Sequence, residues 1–225
     1  MRRYPILLLD YDGTLAETRP AILRSLQEAF EDIGHTPPSR AYLQERLGKG
    51  DALQGFYQSI MEEGASVEEA QRYVAAYRSR YTQADEEETY LYDGAHEVLH
   101  ILQERGYRLV ALSNKHGPTL RHSLARFHLE PFFEAVLGAE DDLPRKPQQE
   151  VFTQRVQRLF PGTSAHDFLM IGDTTADINF AQALGMDVCW ASYGHGVAEV
   201  CKALKPTYHF ESLWELPNLL VKTES

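Results

Sequence analysis

Cysteine is nearly absent from this 225-residue chain: Cys189 and Cys201 occur alone, in neither CxxC nor zinc-ligand spacing. That excludes a disulfide framework and a cysteine-built metal site, and leaves two reduced, partly buried thiols as the expectation. Long apolar runs are missing as well. No stretch approaches the roughly 20 residues of a membrane-spanning helix. The four apolar residues that follow Met1-Arg2-Arg3-Tyr4-Pro5 are too few for the core of a signal peptide, so a cytoplasmic location is expected. Positive charge is in deficit, with 22 Lys and Arg against 33 Asp and Glu and a net charge of −11. This argues against nucleic acid and anionic membrane as partners. A small phosphorylated metabolite stays open, because a few cations and a metal invert the potential inside one cleft. Internal repeats and low-complexity tracts are also lacking.

What is present centres on Leu7-Leu8-Leu9-Asp10-Tyr11-Asp12-Gly13-Thr14-Leu15. Ile6 to Leu9 reads as a short strand buried on both faces and ending in an acid. Asp12-Gly13 signals a turn, since glycine takes positive φ without steric cost. Two acids two residues apart at a buried strand end repel each other unless a cation sits there. A bound divalent metal would offset that repulsion, and a nucleophilic carboxylate beside an acid/base carboxylate would use it.

Downstream, apolar residues at helical spacing run from Ala21 to Ile33, where Gly34 and Pro37-Pro38 end the helix. Further helical patterns fill Ser39 to about Ala84, with no convincing strand between Ala16 and Glu88. The acidic run Asp85-Glu86-Glu87-Glu88 reads as a return linker. The pattern then alternates. Strands are expected at Arg108–Leu112, Ala135–Leu137, Phe168–Ile171, Asp187–Ala191 and Thr207–Phe210, with helices between them. Alternation of this kind implies an α/β parallel sheet covered on both faces, with ligands bound beyond the C-terminal strand ends. The chain therefore divides into a core of residues 1–15 and 91–225 and a helical insert of residues 16–90.

Three further groups fall at or near strand ends. Ser113-Asn114-Lys115 offers a hydroxyl and backbone N–H groups suited to a phosphoryl oxygen, although Ser113 or Asn114 alone reads more readily as a helix cap. Lys146, in Arg145-Lys146-Pro147, has the charge to neutralise a transferring phosphoryl group or Asp10, although a loop lysine alone is usually just solvated. In Gly172-Asp173-Thr174-Thr175-Ala176-Asp177, Asp173 offers oxygen to a metal such as magnesium. Asp177 fits both a capping box with Thr174 and a place in the site.

In order and placement, these groups resemble the four motifs of the haloacid dehalogenase-like phosphatases: DxDGT, then Ser/Thr, then Lys, then GDxxxD. The segments Gly138–Pro147 and Ser192-Tyr193-Gly194 look especially like those of phosphoglycolate phosphatases. The resemblance implies a Rossmann-like parallel sheet core with helices on both faces and an inserted α-helical cap domain. It implies Asp10 as the nucleophile that forms an aspartyl-phosphate, and Asp12 as the acid and then the base. Mg2+ would be held by Asp10, the backbone carbonyl of Asp12 and Asp173, with Asp177 either as a further ligand or as support behind them. Ser113 and Lys146 would hold the phosphoryl oxygens, with Gly13, Thr14 and Asn114 beside the substrate. Lys49, in Gly48-Lys49-Gly50, would reach a substrate carboxylate, or else sit solvated in a turn. Gln148-Gln149 depart from the His-Pro usual after Lys-Pro in phosphoglycolate phosphatases, and Glu17-Thr18 from the commoner Asp-Ser.

The expected activity is a magnesium-dependent phosphomonoester hydrolase, acting as a monomer or homodimer. Asp12 opposes a dehalogenase and a phosphonoacetaldehyde hydrolase. A β-phosphoglucomutase-like phosphotransferase would retain it, as would a catalytically silent phosphate-binding relative. A signalling receiver is about half this length and needs no acid two residues downstream.

Overall fold

The structure is a computed structural model that describes residues 3–47, 53–61 and 65–223. In chain order, β1 (Ile6–Leu9) and the two-residue β2 (Ala16–Glu17) precede α1 (Arg19–Asp32), α2 (Arg40–Leu47), α3 (Leu53–Ile60) and α4 (Val67–Glu88). After β3 (Tyr90–Leu91) come α5 (Ala95–Glu104), β4 (Arg108–His116), α6 (Gly117–Arg126) and β5 (Ala135–Ala139). A π-helical turn, Phe152–Val156, runs into α7 (Gln157–Leu159). The chain continues with β6 (Phe168–Gly172), α8 (Thr175–Ala183), β7 (Asp187–Ala191), α9 (Ala198–Ala203), β8 (Tyr208–Phe210) and α10 (Leu216–Thr223). Two compact units result: Met1–Glu17 with Leu91–Ser225, and Thr18–Tyr90.

In the first unit a six-stranded sheet has the order β5-β4-β1-β6-β7-β8, with every pair parallel. Period-two alternation sorts its side chains. Leu7, Leu9, Leu109, Ala111, Leu169, Ile171, Cys189 and Ala191 face one layer, with residues of α5, α6 and α10. Ile6, Leu8, Val110, Leu112, Phe168, Met170, Val188 and Trp190 face the other, with residues of the π-turn, α8 and α9. Both layers are dry, which is why these strands read as continuous apolar runs. Each fully buried Leu of β1 contributes about 1.5–3 kcal/mol. Because β1 is flanked by β4 on one side and β6 on the other, connections leave it in both directions. The strand order therefore reverses at the C-terminal end of β1, where Asp10 follows and where such sheets bind their ligands.

The second unit is helical. Its core gathers Leu26, Phe30, Leu43, Phe56, Tyr57 and Tyr73. The Tyr57 and Tyr73 rings stack with centroids 4.6 Å apart, and Phe30 lies 4.8 Å from Tyr73. Ser66 caps α4 by accepting the Glu69 N–H at 3.1 Å.

The structure departs from the sequence expectations in two places that matter. The acidic run is not a linker: Asp85 to Glu88 form the last turn of α4. Asp85 is buried and accepts from the Tyr81 and Thr89 hydroxyls, while Arg24 of α1 pairs with Glu87 and Glu88. Cross-helix pairing of this kind leaves no local signal. The strand expected to stop at Leu112 continues to His116, with a register shift between Leu112 and His116. The polar Ser-Asn-Lys-His sequence reads as a loop because Asn114, Lys115 and His116 meet polar partners, Lys146, Asp12 and Thr119, rather than core. Among the described residues, no helix is long and apolar enough to cross a membrane.

Candidate active site

Asp10 is fixed by the strand it follows. Its N–H donates to the Ile171 carbonyl at 2.9 Å, continuing the β1–β6 ladder, and its Oδ1 accepts the Tyr11 N–H at 2.7 Å. The chain then turns tightly: the Tyr11 carbonyl accepts from Thr14, Leu15 and Ala16, and the Gly13 N–H donates to Ala16. Gly13 takes φ +76°, and a Cβ there would overlap the Asp173 carboxylate. Only glycine meets both demands. Gly194 closes on the same acid from the loop after β7, where a side chain would strike Asp173 as well.

Asp173 follows β6 and is completely buried. It accepts the His195 N–H at 2.6 Å and the Thr14 hydroxyl at 3.3 Å. Its own carbonyl takes the Trp190 indole N–H at 2.9 Å. Asp177 lies in the first turn of α8, also completely buried. One of its oxygens completes a capping box, accepting the Thr174 N–H at 3.0 Å and hydroxyl at 2.8 Å. The other accepts from Lys146 Nζ at 2.6 Å. Asp177 thus starts a helix and joins the site at once.

Lys146 is the cation of this enclosed cluster. Its Nζ lies 3.0 Å from Asp10 Oδ2 and donates to the Leu112 carbonyl at 2.7 Å. Asn114 holds the lysine's backbone from β4: its amide nitrogen donates to the Lys146 carbonyl at 2.9 Å, and its amide oxygen accepts the Lys146 N–H at 3.0 Å. Asp12 stands apart from the cluster. Its Oδ1 pairs with Lys115 Nζ at 3.0 Å, and that ammonium also lies 5.6 Å from the Tyr11 ring centroid.

The charges in this cluster do not balance. Asp10, Asp173 and Asp177 offer carboxylate oxygens within 4.8 Å of one another. Burial pushes Asp10 up to about 7, Lys146 pulls the other way, and Asp177, Asp173 and Asp12 add to the rise. Burial likewise pushes Asp173 up to about 6 against the pull of His195, with Asp177 adding to it. Burial opposes the Lys146 charge too, but Asp10 and Asp177 more than offset it and hold the ammonium above the ordinary lysine range. Three buried acids meet one buried lysine, which pairs with Asp10 and Asp177. Such a set calls for another cation, and all-oxygen donors suit a hard one.

Of the residues singled out in the sequence, the structure gathers Asp10, Asp173, Asp177 and Lys146 into one cluster. Ser113, Asn114 and Lys146 line one crevice with Arg145 and Arg155. Ser113 is buried, and its Oγ accepts the Lys115 N–H at 3.2 Å. The Thr14 hydroxyl is turned to Asp173, and the Asn114 amide to the Lys146 backbone. Lys49 lies outside the described residues. Sequence reasoning missed Lys115 as the partner of Asp12. It also missed the pair His195 Nε2–Glu17 Oε1 at 2.8 Å, which the Tyr92 hydroxyl joins at 3.2 Å from Glu17. His195 and Glu17 are 178 positions apart, so no local pattern links them.

Comparison with known proteins bears on the family and the fold. The family model described as haloacid dehalogenase-like hydrolase matches residues 7–191. A 5'-nucleotidase of Pseudomonas aeruginosa is 32% identical over 97% of this chain and 96% of its own. A phosphoglycolate phosphatase of Mesorhizobium japonicum is 26% identical over 97% of each chain. The crystal structure of a predicted phosphatase from Clostridium acetobutylicum superposes with a TM-score of 0.85 at 23% identity, covering 97% of this chain and 99% of that one. That last likeness speaks for the fold, and the first three findings for descent. The chain belongs to the haloacid dehalogenase-like hydrolases.

Proposed function

We propose that this protein is a magnesium-dependent phosphomonoester hydrolase of the phosphoglycolate phosphatase-like kind, working in the cytoplasm, with its helical unit as a cap. The observation that carries the reading is the cluster at the end of β1: Asp10 beside Lys146, Asp173 and Asp177, with Asp12 two residues on. The donor set fits Mg2+. Its ligands would be Asp10, Asp173, Asp177 and the Asp12 backbone carbonyl, and the burial-raised acids supply the unmet negative charge. When bound, the metal would neutralise phosphoryl charge and lower the repulsion between Asp10 and its substrate.

The remaining chemistry belongs to the chain. Asp10 attacks phosphorus as the ester P–O bond breaks, which gives an aspartyl-phosphate, while Asp12 delivers its proton to the departing alkoxide. Water then attacks the same phosphorus as Asp12 takes the water's proton, the P–O bond to Asp10 breaks, and phosphate leaves. Lys146 and Ser113 bind the phosphoryl oxygens, and the lysine keeps Asp10 oriented. Phosphoryl transfer needs this positioning and charge neutralisation above all.

The test is phosphate release from a panel of small phosphomonoesters, nucleoside monophosphates among them, with magnesium and with excess EDTA. The expected result is selective, magnesium-dependent release from 2-phosphoglycolate. Release confined to nucleotides, in line with the Pseudomonas aeruginosa relative's name, would keep the chemistry and remove that substrate. No release from any ester by folded protein overturns the reading.

A further inference from the structure

We propose that Lys115 is a specificity-determining residue that selects phosphomonoesters whose leaving alcohol carries a second anionic group, such as a carboxylate. The inference rests on Asp12 as the acid of the reaction set out above. It goes further by assigning the substrate class to a residue of the core unit.

The argument begins with distance. A proton donor must come within hydrogen-bond reach of the leaving oxygen, about 2.6–3.2 Å. Lys115 Nζ lies 3.0 Å from Asp12 Oδ1. Whichever carboxyl oxygen delivers the proton, the ammonium therefore stands within about 8 Å of the leaving oxygen, two hydrogen-bond lengths plus the width of the carboxyl group. A carboxylate one carbon removed from that oxygen falls within the same range.

Burial makes the charge count. The Lys115 side chain is 5% exposed and lies beside the Tyr11 ring, so the attraction is screened far less than at the surface. The balance of charge also favours an anion here. The acids Asp10, Asp12, Asp173 and Asp177 converge on this end of the sheet, and Lys146 is committed to Asp10 and Asp177. A substrate with a phosphate and a further negative charge is repelled by this set unless a cation meets the second charge. Lys115 brings that cation to the side where the leaving group departs. Its place follows from the extension of β4: Ser113 to His116 stay in the strand instead of turning away, and the Ser113 hydroxyl holds the Lys115 N–H at 3.2 Å. A neutral leaving group such as a nucleoside gains nothing from this charge.

The experiment compares 2-phosphoglycolate with 2-hydroxyethyl phosphate, which has a neutral CH2OH where the carboxylate stands. Values of kcat/KM are measured with magnesium for the wild-type chain, Lys115→Met and Lys115→Arg. The wild type is expected to prefer the anionic ester by about 10- to 100-fold, the scale of one charge-assisted hydrogen bond. Lys115→Met should collapse that ratio mainly through the anionic substrate, and Lys115→Arg should restore part of it. An equal loss on both esters in Lys115→Met overturns the inference, leaving Lys115 to position Asp12 and the hydrolase reading intact. If Lys115→Met does not fold, the wild-type ratio decides: a preference for the neutral ester overturns the inference. Failure of the wild type on every ester of the panel removes both readings together.

Discussion

Two acids of one turn, Asp10 and Asp12, each have a lysine, and the two pairs differ in kind. Asp10 and Lys146 form part of a closed set, with the lysine touching Asp177 and the Leu112 carbonyl as well and its side chain 1% exposed. Asp12 and Lys115 form a simpler pair in which the acid's side chain is 20% exposed. The proposed nucleophile must be held still, and Asp10 is, by the ladder to β6, the Tyr11 N–H and Lys146. The proposed acid, which gives and then takes back a proton, must stay reachable, and Asp12 does. The difference follows from where the lysines originate. Lys146 enters from the loop after β5, fixed through its backbone by Asn114, whereas Lys115 lies along β4 itself.

The comparison is broken most severely at the acids. Asp10→Asn is expected to abolish turnover, by about 10^4-fold or more in kcat. Asp12→Asn should lose about 10^2- to 10^4-fold. It should also accumulate phosphate on Asp10, visible after acid quenching with labelled substrate. An Asp10→Asn protein as active as wild type would end the assignment.

The lysines should then separate by stability. Lys146→Met leaves Asp10 and Asp177 buried with their shared counter-charge gone, at a cost of about 3–5 kcal/mol in a denaturant titration. Lys115→Met leaves one partly exposed acid, at a cost of roughly 1–3 kcal/mol. Equal losses would erase the distinction between a closed and an open pair.

The smallest effect is the response to pH. Asp10 and Asp173 are raised to about 7 and about 6 by burial, whereas unfolded carboxylates titrate near about 4. The folded state therefore holds more protons between about pH 4 and 7. Without metal, the contribution of these two groups is full below pH 4 and is lost as pH rises through 6 to 7. Magnesium must displace those protons at pH 5 but meets ionised acids at pH 7.5. Its effect on Tm should be larger at pH 7.5, as scanning calorimetry with and without EDTA would show. An equal rise at both pH values would count against Asp10 and Asp173 as ligands.

Much of this was legible in the sequence because it is local. β1, β6 and β7 announce themselves as apolar runs, and Gly13 marks its own turn. Thr174 and Asp177 carry a three-residue spacing that the structure uses as a capping box. The rest depends on contacts between distant positions. Lys115 gives no signal beside Ser113 and Asn114, because its partner Asp12 lies 103 positions earlier. Asp85 to Glu88 look like a solvated linker until Arg24, 63 positions before Glu87, is brought beside them. Asn114 reads as a cap or a substrate ligand, since nothing nearby reveals the backbone of Lys146 as its partner.

That Asn114 bridge bears on how the chain tolerates variation. Between the end of β5 at Ala139 and Lys146 lie residues 140–145, which run along the surface or only partly beneath it. A side-chain amide pins the lysine's backbone from β4, and the Leu112 carbonyl, Asp10 and Asp177 hold Nζ, so its placement does not rest on that stretch alone. Changes of charge at the exposed residues Glu140, Asp141 and Asp142 are therefore expected to leave Lys146 in place. Asn114, by contrast, cannot change without releasing the backbone of residue 146, whatever side chain stands there.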